Sequence, residues 1–311
     1  MQNQEIESDN DSLFGGSTTS EMGSGPPPSA PIALRSIPSG YAISGLHFNP
    51  DIRLPETMAL TLLRNIKEFN YFRGGQVNQL MLFERGRTAV LETTRGVIPP
   101  NSVQESSVDA APSCLEDDPP VASSSLPSFL LNLISCLSEL LRDQIPHSTH
   151  ELLFPPPDSS ALKPARQAIL NLYRPGEGIT AHVDLLKRFG DGIIIVSLGS
   201  GTVMELAPVP SSDIIALPSL EAGQSPQSQM SEGVSLWLEP RSILVLEGEA
   251  RYNWTHGIPA RDGDWVQDEE DMDGAVDAQW IPRDVRVSIT LRWLLPGAEV
   301  VGGAMGDDQT V

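Results

Sequence analysis

From Arg166 onward the chain breaks into short runs of Ile, Val, Leu and aromatic residues, each closed by Gly, Pro or an acid. That texture restricts the possible folds more than any other feature. Such runs are too short for buried helices and suit strands, whose branched side chains pack on a pleated surface. Strands are expected near 166–173, 180–184, 193–198, 202–206, 234–238, 242–246 and 285–294. Short strands in series form a sandwich or barrel. A Ser-, Pro- and Gln-rich loop at 207–232 interrupts them. An acidic stretch with Asp262, Asp264, Asp268, Glu269, Glu270, Asp271, Asp273 and Asp277 interrupts again before the last strand.

The first half reads differently. From Pro55 to Phe69, Met58, Leu62, Leu63, Ile66 and Phe69 recur at helical spacing, which predicts an amphipathic helix, and Gly74-Gly75 breaks the pattern. Gln76 to Phe83 alternates as a strand does. Pro127 opens a second helix whose stripe is Leu130, Leu131, Ile134, Leu137, Leu140 and Leu141, and helix-forming sequence is expected to stop at Pro146. Residues 1–40 are rich in Ser, Gly, Pro and acids, too poor in apolar groups to repay the entropy of ordering. Helices first and strands afterwards predict an α+β, mainly β chain: an antiparallel β core backed by N-terminal helices. One folded domain spans 41–296, with flexible insertions near 99–125, 207–232 and 262–279, a disordered tail at 1–40 and a flexible tail at 297–311.

Composition removes several function classes. The net charge of −21 argues against a surface that is basic throughout and grips nucleic acid by counterion release, although a local basic groove is compatible with it. Cys114 and Cys136 are too few for a disulfide framework or a Cys-rich zinc site, which fits a reducing compartment. The start is polar and acidic, without a signal-peptide core, and no apolar stretch is long enough for a bilayer. A soluble cytoplasmic or nuclear protein is expected, and Asn253-Trp254-Thr255 reads as a chance glycosylation sequon. Nothing in the sequence fixes the oligomeric state.

The chemistry concentrates in Asn171-Leu-Tyr173-Arg-Pro-Gly-Glu-Gly-Ile-Thr-Ala-His182-Val-Asp184. On a strand, His182 and Asp184 leave the same face, so an imidazole and a carboxylate can share one ion. The pair alone means little, because five histidines and 41 acids in 311 residues make about one such pair expected by chance. Its company gives it weight: His256 offers a third ligand, and Arg286, Ser288, Thr290 and Arg292 share one side of the last strand. Two imidazoles and one carboxylate suit ferrous iron with three positions left open. Zinc competes for the same donors, but simple zinc hydrolysis has no obvious use for two arginines. Six extended residues span about 20 Å. If both guanidinium groups lean inward, the gap matches a five-carbon dicarboxylate, each end held by paired charge-assisted bonds. Surface ion pairing with the acidic stretch is the competing use of these arginines.

Asn-x-Tyr-x-Pro-Gly, His-x-Asp, a later His, and Arg-x-x-x-x-x-Arg, in that order, resemble the AlkB family of iron- and 2-oxoglutarate-dependent dioxygenases. Asp191 to Ser200 and Glu239 to Gly248 are similar to the strands after the first ligands and before the distal His, and Gln76-Val-Asn-Gln79 is more weakly similar to the N-terminal region. The resemblance covers about residues 41–296, with specific motifs from 166 onward. It implies a double-stranded β-helix, or jelly-roll, core and makes His182, Asp184 and His256 the Fe(II) ligands. It puts Arg286 and Tyr173, helped by Ser288, at the distal carboxylate of 2-oxoglutarate, and Arg292 and Asn171 at the iron-chelating end. The implied reaction consumes 2-oxoglutarate and molecular oxygen, releases succinate and CO2, and hydroxylates or demethylates a modified nucleobase in RNA or DNA. A protein side chain or small molecule is the alternative substrate, and a non-catalytic interaction scaffold the alternative role. The acidic stretch after His256 would repel phosphate if it stays near the substrate's approach.

Other candidates have plainer readings. His47, His147 and His150 lack an acid at matching spacing and read as packed or solvated histidines. Gly199-Ser200-Gly201 reads as a strand turn rather than a phosphate loop. Trp237 and Trp293 read as core, whereas Trp265 and Trp280 sit in polar loop sequence, open to stacking on a flipped base. Arg64, Lys67, Arg73, Arg85 and Arg87 could form a basic patch, though a solvated helix face explains the first two equally well.

Overall fold

The computed structural model describes residues 31–37, 43–84, 126–155, 165–215, 233–267, 278–296 and 298. Three helices begin directly after a proline whose fixed φ prepares the first turn: α1 (Glu56–Glu68) after Pro55, α2 (Ser128–Leu141) after Pro127 and α3 (His147–Leu153) after Pro146. α3 corrects the expectation that helix ends at Pro146, since a proline that stops one helix can serve as the entry to the next. A short α4 (Gly248–Tyr252) precedes the strand that carries His256.

Among the described residues thirteen strands form two sheets: β1 (Ala33–Leu34), β2 (Leu46–Arg53), β3 (Gln79–Phe83), β4 (Arg166–Tyr173), β5 (Ile179–His182), β6 (Phe189–Gly199), β7 (Thr202–Pro208), β8 (Val234–Leu238), β9 (Ser242–Leu246), β10 (Trp254–Ile258), β11 (Gly263–Gln267), β12 (Ala278–Pro282) and β13 (Arg286–Leu294). One sheet runs β12-β11-β1-β8-β7-β10-β5 and the other β2-β9-β6-β13-β4-β3. The second is antiparallel throughout, and in the first only β1 runs parallel to its neighbours β8 and β11. This is the expected jelly roll backed by N-terminal helices. β6 turns into β7 through Gly199, whose φ of +81° few other residues tolerate, so Gly199-Ser200-Gly201 is a strand turn.

The six-stranded sheet has a partner on each face. Leu62, Ile66, Leu130, Leu133 and Leu137 of α1 and α2 pack against Ala168, Leu170, Val196, Leu198, Ile289 and Leu291 of the six-stranded sheet. The other face, with Ile193, Ile195, Leu244 and Leu246, meets Met204, Leu206, Leu236 and Leu238 of the seven-stranded sheet. The central strands are therefore buried on both faces, which explains their unbroken apolar runs. Among the described residues no helix is long and apolar enough to cross a membrane.

Several expectations need correction. β1 lies inside the stretch expected to be a disordered tail, pinned by a buried Ala33 and by Arg35, which pairs with Glu239 at 2.6 Å. Two residues are too few to carry a periodic signal. Asp264 and Trp265 lie on β11 and Trp280 on β12, not in flexible loops. Asp264 is completely buried and neutralised by Arg283 (Nε at 2.7 Å) and Arg261 (Nε at 2.6 Å). Residues 268–277, with the remaining acids of that stretch, lie outside the described residues, as do Cys114, Arg85, Arg87, the insertion at 99–125 and most of the loop at 207–232. The described residues hold 16 of the chain's 20 Lys and Arg but only 18 of its 41 Asp and Glu.

Candidate active site

The space between the sheets narrows to a cavity of about 120 Å³ lined by all eight expected site residues: Asn171, Tyr173, His182, Asp184, His256, Arg286, Ser288 and Arg292. β13 lies between β4 and β6, with Arg286 opposite Tyr173, Ser288 opposite Asn171 and Arg292 opposite Gln167. The period of two turns all these side chains into the sandwich. From the facing sheet, His182 on β5 and His256 on β10 are direct cross-strand partners, their rings 4.5 Å apart.

Donor atoms of His182, Asp184 and His256 lie within 4.8 Å of one another. Nδ1 of His182 is 2.7 Å from the carbonyl of Thr180, which can only accept, so Nδ1 donates there, and Nε2 faces Oδ1 of Asp184 at 3.8 Å. Burial pushes the pKa of His256 down to about 4 against the pull of Asp184, which keeps that imidazole neutral at neutral pH. Burial alone would raise the carboxyl of Asp184, but Arg292, His256, Arg251 and His182 outweigh it and hold it below the usual range. Oδ1 of Asp184 accepts from Nη1 of Arg292 at 2.6 Å, and Oδ2 is buried with no hydrogen-bond partner. An ionised carboxylate with a bare buried oxygen beside two imidazoles fits a divalent cation, which would satisfy that oxygen.

One local expectation fails in an informative way. β5 ends at His182, so Asp184 does not reach its neighbour through the pleat of a strand spanning 180–184. Side-chain bonds hold it instead. Arg292 is itself aimed by Oε1 of Gln167 at 2.6 Å and by the ring of Phe189, 3.4 Å from its guanidinium carbon.

At the other end, Arg286 is 2% exposed. Its Nε and Nη2 donate to Oγ of Ser197 at 3.3 and 2.8 Å, its guanidinium carbon lies 5.1 Å from the centre of the Tyr173 ring, and Nη1 is buried without an acceptor. Burial pulls its pKa down to about 10, still a cation at neutral pH, and burial pushes the Tyr173 phenol up, so that it stays neutral. Nε2 of Gln79 donates to Oδ1 of Asn171 at 3.1 Å and orients that amide. Gln167 and Phe189 have no motif of their own in the sequence. Only the register with β13 could have found Gln167, whereas Ser197 stood within the similarity at 191–200 and Gln79 within the weaker one at 76–79.

Other residues stay outside. His47 pairs with Glu247 at 2.9 Å, His150 with the carbonyl of Ser138 at 2.8 Å, and His147 with Glu151 at 3.5 Å. Trp265 and Trp280 pack on each other, centroids 5.5 Å apart, and do not line the cavity. Trp237, Trp254 and Trp293 are buried.

These features define a class: a two-sheet jelly roll with a His/Asp/His cluster and a buried arginine sharing one cavity. The sequence pattern of the 2OG-Fe(II) oxygenase superfamily matches residues 100–292, more than half of the chain, and the chain belongs to that superfamily, on its AlkB-like side. It is 35% identical over 129 residues to the uncharacterized protein L905 of Acanthamoeba polyphaga mimivirus, covering 40% of this chain and 47% of the relative. It is 37% identical over 134 residues to the mouse (Mus musculus) tRNA (carboxymethyluridine(34)-5-O)-methyltransferase ALKBH8, covering 40% and 17%. It is 33% identical over 141 residues to the mouse mitochondrial alpha-ketoglutarate-dependent dioxygenase alkB homolog 7, covering 45% and 50%. The matched region thus spans half or less of each of these relatives.

Proposed function

We propose that this chain is an Fe(II)- and 2-oxoglutarate-dependent dioxygenase that oxidises an alkyl carbon of a modified nucleobase in RNA or DNA. The observation that carries the reading is one cavity with a bare carboxylate oxygen and two imidazoles at one end and the unpaired Nη1 of buried Arg286 at the other. His182, Asp184 and His256 would hold the iron. Bound Fe(II) supplies the redox chemistry, coupling decarboxylation of 2-oxoglutarate by molecular oxygen to oxidation of a substrate C–H bond.

The chain's own residues do the rest. Arg286 takes the distal carboxylate of 2-oxoglutarate, Tyr173 and Ser288 add hydrogen bonds there, and Arg292 and Asn171 serve the end nearer the metal. Ile169, Ile195, Met204 and Ile258 wall the cavity and keep water from the reacting centre. For an N-methyl substrate, the methyl group, 2-oxoglutarate and O2 give the N-hydroxymethyl product, succinate and CO2. The N-hydroxymethyl group then collapses to formaldehyde and the bare nitrogen.

A nucleic acid substrate is supported by the tRNA named for the mouse methyltransferase relative. A cytoplasmic or nuclear site follows from the same reading. The test is formaldehyde release from methylated RNA and DNA pools by the full chain with ferrous iron, 2-oxoglutarate, ascorbate and oxygen. Release from either pool supports the proposal. Uncoupled succinate formation with no response to either pool, but a response to peptides, would move the substrate to protein.

A further inference from the structure

Asp184 is the member of the His/Asp/His cluster that no regular element holds. It lies beyond the end of β5, at the start of the stretch 184–189 that turns back into β6. Both ends of that stretch accept hydrogen bonds from one side chain. Nη1 of Arg251 donates to the backbone carbonyl of Asp184 at 3.1 Å, and Nη2 donates to that of Phe189 at 3.4 Å. Arg251 is the largest fully buried side chain among the described residues. A guanidinium is costly to bury unless acceptors and opposite charges surround it. Here Nη1 and Nη2 meet two carbonyls, the carboxylates of Asp184 and Asp191 act at longer range, the Tyr252 ring lies 4.9 Å from the guanidinium carbon, and Nε is buried without a hydrogen-bond partner.

The element that carries Arg251 gives the contact its meaning. α4 is tied to β6 at its first residue, where the backbone N–H of Gly248 donates to Oδ1 of Asp191 at 2.9 Å. At its far end it feeds β10, the strand of His256. One short helix therefore touches the segment that presents Asp184 and launches the strand that presents His256. Arg292 fixes the side chain of Asp184; Arg251 fixes its backbone. We propose that Arg251 is a positioning residue that sets Asp184 against His182 and His256 for metal binding, an inference that rests on the iron reading above.

A residue that merely fills the core could be replaced by methionine, of similar length, with a loss of stability alone. A positioning residue could not, because its two directed hydrogen bonds vanish. The test titrates the full chain with cobalt(II) under anaerobic conditions and follows the visible absorption of the bound ion, which reports coordination geometry without turnover. Circular dichroism checks the fold. For folded Arg251→Met the expected result is affinity weaker by about 10–100-fold and an altered spectrum, the usual consequence of losing a residue that orients a metal ligand. Arg251→Lys, which keeps the charge and can reach one carbonyl, should recover part of both. A folded Arg251→Met with wild-type affinity and spectrum overturns the proposal, and so does loss of the fold in both variants, which would make Arg251 a folding residue. No cobalt binding by the wild-type chain would instead sink the iron reading itself.

Discussion

Arg286→Lys tests the cosubstrate end of the cavity. The guanidinium has two jobs in different directions: Nε and Nη2 are held by Ser197, and Nη1 points away from it with no acceptor. A lysine ammonium keeps the charge but cannot grip Ser197 and a carboxylate in the same planar geometry. It should lose about one charge-assisted hydrogen bond, ~1.5–3 kcal/mol, which is about a 10–150-fold rise in KM for 2-oxoglutarate. Arg286→Ala leaves a ligand carboxylate in a buried site without its partner, ~3–5 kcal/mol, or roughly 150-fold and upward. Because the residue sits at the end of the cavity away from the metal-ligating cluster, kcat at saturating 2-oxoglutarate should change much less than KM. The assay is initial-rate succinate formation over a 2-oxoglutarate series, with thermal unfolding as a check on the fold. A KM within about twofold of wild type in folded Arg286→Ala would refute the assignment, because no buried ionic contact is that weak.

Leu137→Ala, at a fully buried position between α2 and the six-stranded sheet, should cost ~2–5 kcal/mol in urea unfolding while leaving the KM for 2-oxoglutarate unchanged. Asp264→Ala strips the partner from buried Arg283. A loss of ~3–5 kcal/mol is expected, and a loss below about 1 kcal/mol would mean that water reaches the cluster. In the metal-free chain, His256 resists protonation down to about pH 4 whereas the unfolded chain takes that proton near pH 6.5. The unfolded state therefore binds more protons between those values, and stability should fall as pH drops through that window, by on the order of 3 kcal/mol in all. The lowered carboxyl of Asp184 continues the loss as pH falls further. Denaturant titrations at a series of pH values check this, and stability that is flat from pH 7 to 4 contradicts it.

Legibility in the sequence followed the length of each periodic signal. β4, β8 and β9 were readable to within a residue because each carries a dense apolar group followed by a charged residue. β2 was missed because Pro50 and polar neighbours break its alternation, a sequence an edge strand tolerates. β10 was missed because Thr255, His256 and Gly257 look like a polar turn, yet the strand places His256 opposite His182. β11 was hidden by Asp264 and the acidic stretch around it: a buried aspartate is invisible in a sequence unless the arginines that neutralise it, here Arg261 and Arg283, can be paired with it in advance. That these eight residues would line one cavity was legible from motif order and from parity along the last strand. The roles of Ser197, Gln167 and Arg251 were not, because each acts by holding another site residue, through contacts between elements far apart in the chain.

The central claim is that one cavity takes both iron and 2-oxoglutarate. Succinate formation by wild-type chain, His182→Ala and Arg286→Ala, each with ferrous iron, 2-oxoglutarate, ascorbate and oxygen, tests it most directly. The account predicts turnover by wild type alone at low 2-oxoglutarate, with Arg286→Ala partly restored by excess 2-oxoglutarate and His182→Ala restored by neither excess iron nor excess 2-oxoglutarate. Wild-type rates in either variant at low 2-oxoglutarate, or no succinate from the wild type, would contradict it.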